Sequence, residues 1–77
     1  MKSLQFRLLD EFIELHNLLK VQSVCPSGGA AKALVASGAV RVDGVVELRK
    51  SCKLRAGQRV QTSEVEIELL PPAAGPS

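Results

Sequence analysis

The segment Ser27–Val46 reads SGGAAKALVASGAVRVDGVV, and the rest of the chain is arranged around it. Its first half predicts a helix that begins after Ser27, because a serine hydroxyl accepts a hydrogen bond from the free amides of a first helical turn. Apolar residues recur three and four positions apart between residues 30 and 35, so they share one helix face. Gly38 predicts the end of the helix, because glycine takes a positive φ angle without a steric clash at Cβ.

The second half of the segment predicts a β-hairpin. In the stretch 40–42, Arg41 lies between two valines, as in a strand with one apolar face. Asp43-Gly44 is a two-residue turn whose twist matches that of paired strands, and Val45 begins the return strand. Both Arg41 and Lys32 of the preceding helix are therefore expected away from the apolar faces.

The residues before this segment predict a strand and a second helix. Apolar residues alternate with polar ones over residues 4–8, which indicates a short strand. Residues 12–14 fit either a strand or a helix, but the leucines from Leu15 onward predict a short helix that ends near Lys20. Cys25-Pro26 separates the two helices, because the residue before a proline is pushed out of the helical region.

The residues after the hairpin predict a basic loop, a second hairpin and a tail. Residues 47–53 are polar and basic without a clear period, which indicates a loop. Residues 59–61 and 65–69 alternate as two half-buried strands do and predict the final hairpin. The tail 71–77 contains three prolines and is expected to be disordered.

Length and composition limit the chain to one small domain, expected over residues 1–70. Hydrophobic residues make up 45% of the chain, with two Phe and no Trp or Tyr, so the core must be aliphatic. Both phenylalanines are expected in that core. An aromatic platform for base stacking is therefore not predicted, which favours recognition of structured RNA through its backbone and shape.

The charge is unevenly distributed along the chain. Residues 41–59 contain six basic and two acidic residues, a net charge of +4, whereas residues 60–77 contain three glutamates and no base. A basic block of this kind indicates an anionic partner, and nucleic acid is the commonest one. On charge alone duplex DNA fits as well as RNA. Arg55 and Arg59 have an alternative role, since they are also placed to balance glutamates of the last strand.

The residues that carry chemistry are sparse. The two cysteines lie 27 positions apart without a Cys-x-x-Cys motif, so the sequence predicts neither zinc nor another cofactor and leaves a disulfide open. Neighbouring lysines are expected to lower the pKa of the Cys52 thiol. His16 is the only histidine and has no nucleophile near it in sequence, so catalysis is not expected. The last-strand glutamates are interpreted as a solvated sheet edge rather than a metal site; these are Glu64, Glu66 and Glu68.

The sequence has neither a signal peptide nor an apolar run of the roughly 20 residues that span a bilayer. The protein is therefore expected in the cytoplasm with reduced thiols, without a membrane partner, and as a monomer.

Five short patterns follow one another in a fixed order. They are Leu15-x-x-Leu18-Leu19-Lys20, Ser27-Gly28-Gly29-Ala30-x-Lys32, Gly38-x-Val40-x-Val42-Asp43-Gly44, Arg49-Lys50-x-x-Lys53-Leu54 and Gly57-Gln58-x-Val60.

This ordered series, over about residues 12–69, resembles the αL RNA-binding motif. That domain is named after ribosomal small-subunit protein four, and the chain is similar in particular to its free-standing small bacterial versions of YbcJ type. The resemblance implies an α+β fold in which two short helices pack on a small, strongly bent, mainly antiparallel sheet. It also implies that helix ends and adjacent loops hold RNA.

The residues predicted to bind RNA combine the resemblance with the charge pattern. They are Lys20, Ser27, Gly28, Gly29, Lys32, Arg41, Arg49, Lys50, Lys53 and Arg55. Two glycines at a helix entrance let a phosphate approach the free amides, where the helix dipole also favours negative charge. The alternative is that they only allow a tight turn after Pro26.

The sequence therefore predicts a non-catalytic bacterial protein that binds structured RNA, either ribosomal or transfer RNA, in association with the ribosome. The alternative function is a protein–protein interaction module with incidental RNA affinity, in which a ribosomal or other protein is the partner. An enzyme ranks third, because the chain has no nucleophile constellation.

Overall fold

The computed structural model describes residues 2–73, which form seven strands and two helices. In chain order these are β1 (Lys2–Arg7), β2 (Ile13–Glu14), α1 (Leu15–Val21), α2 (Gly28–Ala36), β3 (Arg41–Val42), β4 (Val45–Val46), β5 (Lys53–Leu54), β6 (Arg59–Gln61) and β7 (Val65–Leu70). Of the predicted tail, residues 71–73 carry no helix or strand. The rest of that prediction lies outside the described residues.

The second helix begins and ends where the sequence predicts. Ser27 has an extended backbone, and its Oγ accepts a hydrogen bond from the Ala30 amide at 3.1 Å. This bond satisfies one of the amides that a first helical turn leaves unpaired. Gly38, at φ +81°, follows the Ser37 C-cap and turns the chain toward β3. Local capping chemistry therefore sets both ends of α2.

The strands form one mixed five-stranded sheet and a separate two-stranded one. The large sheet has the order β1-β7-β6-β3-β4, and the small one pairs β2 with β5. All pairs are antiparallel except β1 with β7, which run parallel over six residue pairs from Lys2↔Val65 to Arg7↔Leu70. The α+β class with two helices on a small, mainly antiparallel sheet is confirmed.

The interpretation of the β7 glutamates as a solvated edge is wrong. β7 lies between β1 and β6, so it is an interior strand of the sheet. Glu66 accepts hydrogen bonds from Arg59 and Gln61, and Glu68 accepts one from Gln5. Strand alternation tells which face of a strand is polar, but it does not tell which strands flank it.

The core is aliphatic and joins both helices to the sheet. Its fully buried side chains come from α1, α2, the strands and the adjoining loops, and the largest are Leu8, Leu15, Leu18, Leu19, Val35, Val40, Leu54, Val60, Ile67 and Leu69. Phe6 packs against this cluster as predicted. Phe12 does not: 36% of it is exposed, so its placement in the core was wrong.

The β3–β4 turn is fastened to the neighbouring strand. Asp43 and Gly44 have φ angles of +52° and +84°, as the predicted two-residue hairpin turn requires. The Asp43 carboxylate accepts hydrogen bonds from the Arg59 amide at 3.0 Å and from Gln58 Nε2 at 3.2 Å. Asp43 therefore both forms the turn and attaches it to β6.

Candidate nucleic-acid interface

The basic loop, residues 49–55, lies against the start of α1. The Leu15 amide donates to the Cys52 carbonyl at 2.9 Å, and the His16 amide donates to the Lys50 carbonyl at 3.0 Å. β5 continues the contact by pairing with β2, where Lys53 lies opposite Glu14. The helix has no side-chain N-cap, so the loop backbone satisfies its first amides. The loop is therefore held in place by backbone hydrogen bonds rather than by its basic side chains.

Three cations of the basic loop are exposed and lack a carboxylate partner. They are Lys50, Lys53 and Arg55. None of these three side chains forms an ion pair within 4 Å among residues 2–73, where the ion-paired carboxylates bind other basic residues. Lys53 Nζ lies 5.0 Å and Arg55 Cζ lies 5.8 Å from the centroid of the Phe12 ring. The fold thus gathers exposed positive charge around one exposed aromatic ring.

Arg49 differs from its neighbours because Glu47 binds it. The Glu47 carboxylate accepts from Arg49 Nε at 3.0 Å, from Nη2 at 3.1 Å and from the Arg49 amide at 3.0 Å. These hydrogen bonds from Arg49 lower the pKa of Glu47 to about 2. Glu47 is therefore ionised at neutral pH and neutralises the charge of Arg49.

The Glu47–Arg49 pair is a feature of this candidate interface that was not predicted from the sequence. The two residues lie two positions apart, which in extended chain places their side chains on the same side. That spacing was a usable signal.

The entrance of α2 is open, as the predicted phosphate contact needs. A Cβ added at Gly28 would meet nothing within 4 Å, and one at Gly29 would meet only the Ser27 hydroxyl at 3.9 Å. Lys32 is exposed on the same helix, and Lys20 is exposed in the last turn of α1. These residues remain candidates that belong to the helices and not to the basic loop.

Arg41 lies in a different cleft from the basic loop. It is exposed and lines a cleft with Gly38, Gln61 and Ser63. Arg59 takes the alternative role expected from the sequence, because it forms an ion pair with Glu66 of the last strand at 3.1 Å. The cations predicted from the sequence therefore divide into separate groups, of which the basic loop is the densest.

The expectation that neighbouring lysines lower the pKa of the Cys52 thiol is wrong. Partial burial raises the pKa of the Cys52 thiol, and the neighbouring Glu47 carboxylate raises it further. Cys25 is buried, which raises the pKa of its thiol too, and both thiols are free. Burial and the hydrogen bond with Glu47, rather than the lysines beside Cys52 in sequence, therefore set the direction of its pKa shift.

Residues 2–73 offer no cluster of three or more His, Cys, Asp or Glu side chains suited to a metal ion. In that part of the chain, no helix has both the length and the apolar character to cross a bilayer.

Comparison with known proteins identifies the family. The S4 domain matches residues 6–70, which is most of the chain. The chain belongs to the S4 domain family. It is 43% identical over 58 residues to YbcJ of Escherichia coli (strain K12), covering 75% of this chain and 83% of the relative. The same figures hold for the uncharacterized protein YbcJ of Shigella flexneri.

A solved structure has the same fold. The solution structure of YbcJ from E. coli matches with a TM-score of 0.65 and 37% identity, over 91% of this chain and 87% of that one. It is described as revealing an αL motif involved in RNA-binding. The resemblance to the αL motif and to the YbcJ type is therefore confirmed.

Proposed function

We propose that this protein is a non-catalytic RNA-binding protein that contacts the backbone of structured RNA through its basic loop. Its membership of the S4 domain family and its similarity to YbcJ, whose αL motif is described as involved in RNA-binding, support this function. We expect it to act in the cytoplasm, as a monomer, on ribosomal or transfer RNA.

The observation that carries the proposal is the group of exposed cations without carboxylate partners at residues 50, 53 and 55. A cation without an internal partner can bind a phosphate without first breaking an ion pair. The loop backbone is bonded to α1, so these cations extend from a fixed base and little loop ordering opposes binding.

The remaining candidates have supporting roles in this mechanism. The open amides of Gly28 and Gly29 form an anion site at the start of α2, with Ser27 capping the helix and Lys32 one turn further on. Lys20 and Arg41 extend the contact to neighbouring phosphates. Arg49 contributes least, because Glu47 neutralises it.

The salt dependence of RNA affinity tests the proposal. If about three to five phosphates are neutralised, log affinity falls against log salt with a slope of roughly −2 to −4.5. The double variant Lys50→Glu/Lys53→Glu should weaken binding strongly while its circular dichroism spectrum and unfolding curve stay close to those of the wild type. A flat salt dependence, or full affinity in this folded variant, refutes the basic loop as the RNA site.

The second candidate function is a protein–protein interaction module. It is favoured by exposed apolar side chains beside the basic loop: Val45, Val46 and Leu48 are 70%, 45% and 60% exposed. A pull-down that retains a partner after nuclease treatment, with no RNA bound at physiological salt, would favour this function over RNA binding.

A further inference from the structure

Phe12 lines a cleft whose chemistry differs from that of a phosphate site. The cleft is about 540 Å³ in volume and is lined by Asp10, Phe12, Ile13, Glu14, Asn17 and Lys53. It therefore combines an aromatic ring, an aliphatic side chain, two carboxylates and an amide, with one cation at its border. Carboxylates repel phosphates, so the interior of this cleft suits a different part of a nucleotide.

We propose that this cleft takes one unpaired nucleobase of the RNA whose backbone the basic loop contacts. The inference rests on the proposed function and adds a base-binding subsite to it. The base stacks on the Phe12 ring, while Lys53 and Arg55, which now lie 5.0 and 5.8 Å from that ring, contact the phosphates on either side of the flipped-out nucleotide.

Stacking of a base competes favourably with the cations that now lie over the ring. Each of the two cations over the exposed ring contributes about 2- to 5-fold to the equilibrium constant for holding it there, so the two together contribute about 4- to 25-fold. A stacked base contributes about 5- to 140-fold. The displaced cations also keep a negative partner, because the phosphates of the bound strand lie next to the base. The exchange therefore favours the base because the two cations regain negative partners, and not because the stacking energy alone exceeds their contacts with the ring.

The polar groups of the cleft select among the bases. The carboxylates of Asp10 and Glu14 accept hydrogen bonds from base N–H groups, and the Asn17 amide both donates and accepts. Glu14 pairs with His16 through Oε1 at 3.4 Å, which leaves Oε2 as an acceptor. Guanine presents two adjacent donors, its ring N–H and its amino group, for which Glu14 Oε2 and the Asp10 carboxylate are the acceptors, whereas uracil presents a single N–H. The cleft should therefore prefer guanine to uracil.

The test compares three labelled RNA hairpins with the same stem: one fully paired, one with a single bulged guanosine and one with a single bulged uridine. The wild-type protein should bind the bulged-guanosine hairpin about 5- to 140-fold more tightly than the paired one. The variant Phe12→Leu, which keeps an apolar side chain but removes the ring, should bind the bulged-guanosine and paired hairpins with equal affinity.

Two controls separate stacking from general damage. Val45→Ala removes apolar surface at an exposed site outside the cleft and should preserve the preference for the bulge. Glu14→Gln, which keeps the shape of the side chain, should reduce the difference in affinity between the bulged-guanosine and bulged-uridine hairpins. If Phe12→Leu proves unfolded by circular dichroism, the wild-type protein decides instead: a 2-aminopurine placed next to the bulged guanosine should become brighter when that guanosine leaves the stack, and unchanged fluorescence overturns the base subsite.

The outcomes distinguish this inference from the proposed function. Salt-dependent binding of all three hairpins with equal affinity, or an unchanged preference in folded Phe12→Leu, overturns the base subsite and leaves backbone binding standing. Binding of no hairpin, or binding without salt dependence, overturns both.

Discussion

The pairing of Glu47 with Arg49 predicts that removing one carboxylate strengthens RNA binding. In the variant Glu47→Gln, the side chain keeps its shape and an oxygen that can still accept from the Arg49 amide, but it no longer carries charge. In the wild-type protein, the Glu47 carboxylate accepts hydrogen bonds from both Arg49 Nε and Nη2, at 3.0 and 3.1 Å, in a bidentate arrangement. Freed from that partner, the Arg49 guanidinium becomes available to a phosphate.

The size of the effect follows from counterion release. Each additional phosphate contact steepens the slope of log affinity against log salt by about 0.7 to 0.9. The affinity ratio of Glu47→Gln to wild type should therefore grow by about 5- to 8-fold for each tenfold decrease in salt. In the wild type, Arg49→Ala should change the slope little, whereas Lys50→Ala should reduce its magnitude by about 0.7 to 0.9.

Fluorescence anisotropy of a labelled RNA hairpin, titrated from about 50 to about 500 mM salt, measures these slopes. The double variant Glu47→Gln/Arg49→Ala closes the cycle and should return the slope to the wild-type value. If Glu47→Gln leaves the slope unchanged while Arg49→Ala alone reduces it as much as Lys50→Ala does, Glu47 does not withhold Arg49 from the RNA. In that case Arg49 contacts a phosphate despite its carboxylate partner.

Four further predictions concern stability and reactivity. Hydrogen bonds from Arg49 lower the pKa of Glu47 from 4.5 to about 2, so their contribution to stability is complete above about pH 4.5 and is lost as the pH falls toward 2. Urea unfolding at several pH values should therefore show that Glu47→Gln loses less unfolding free energy in acid than the wild type does. Gly44→Ala should lower the free energy of unfolding by about 1–2 kcal/mol, because a side chain is strained at φ +84°. Gly28→Ala has free space at a helical position, so in the same urea assay it should be neutral or slightly stabilising. Leu54→Ala should lower the free energy of unfolding by about 2–5 kcal/mol, because Leu54 is fully buried. A small shift of the urea midpoint would contradict the position of Leu54 in the core. The Cys52 thiol should react with iodoacetamide more slowly than an unhindered thiol, because burial and Glu47 raise its pKa, and faster in Glu47→Gln; site-resolved mass spectrometry measures both rates.

Elements defined by neighbouring residues were predictable from the sequence. Ser27 caps α2, Gly38 follows its end and Asp43-Gly44 turns between β3 and β4, as their local chemistry predicts. The ion pair of Arg59 with Glu66 was also among the predicted alternatives, because hairpin strands joined by a short turn have a limited choice of register. In each case the residues that decide the structure lie within one turn or one hairpin.

Features that join distant parts of the chain were not predictable from the sequence. β1 pairs in parallel with β7 across more than sixty residues, and this pairing makes β7 an interior strand. Apolar alternation in β1 indicates a strand but carries no information about its partner.

The candidate site divides in the same way. Its positive charge could be predicted from the sequence, because residues 41–59 contain six basic residues. The tertiary structure decides which of those cations are available to bind a phosphate. Glu47 binds Arg49, Glu66 binds Arg59, and the loop backbone is hydrogen-bonded to α1. The exposed position of Phe12 beneath Lys53 and Arg55 depends on the pairing of β2 with β5, forty residues apart. The sequence by itself determined the local elements and the sign of the charge, because both depend on neighbouring residues. Only the tertiary structure decided the partners, because pairing between distant segments depends on how the whole core packs.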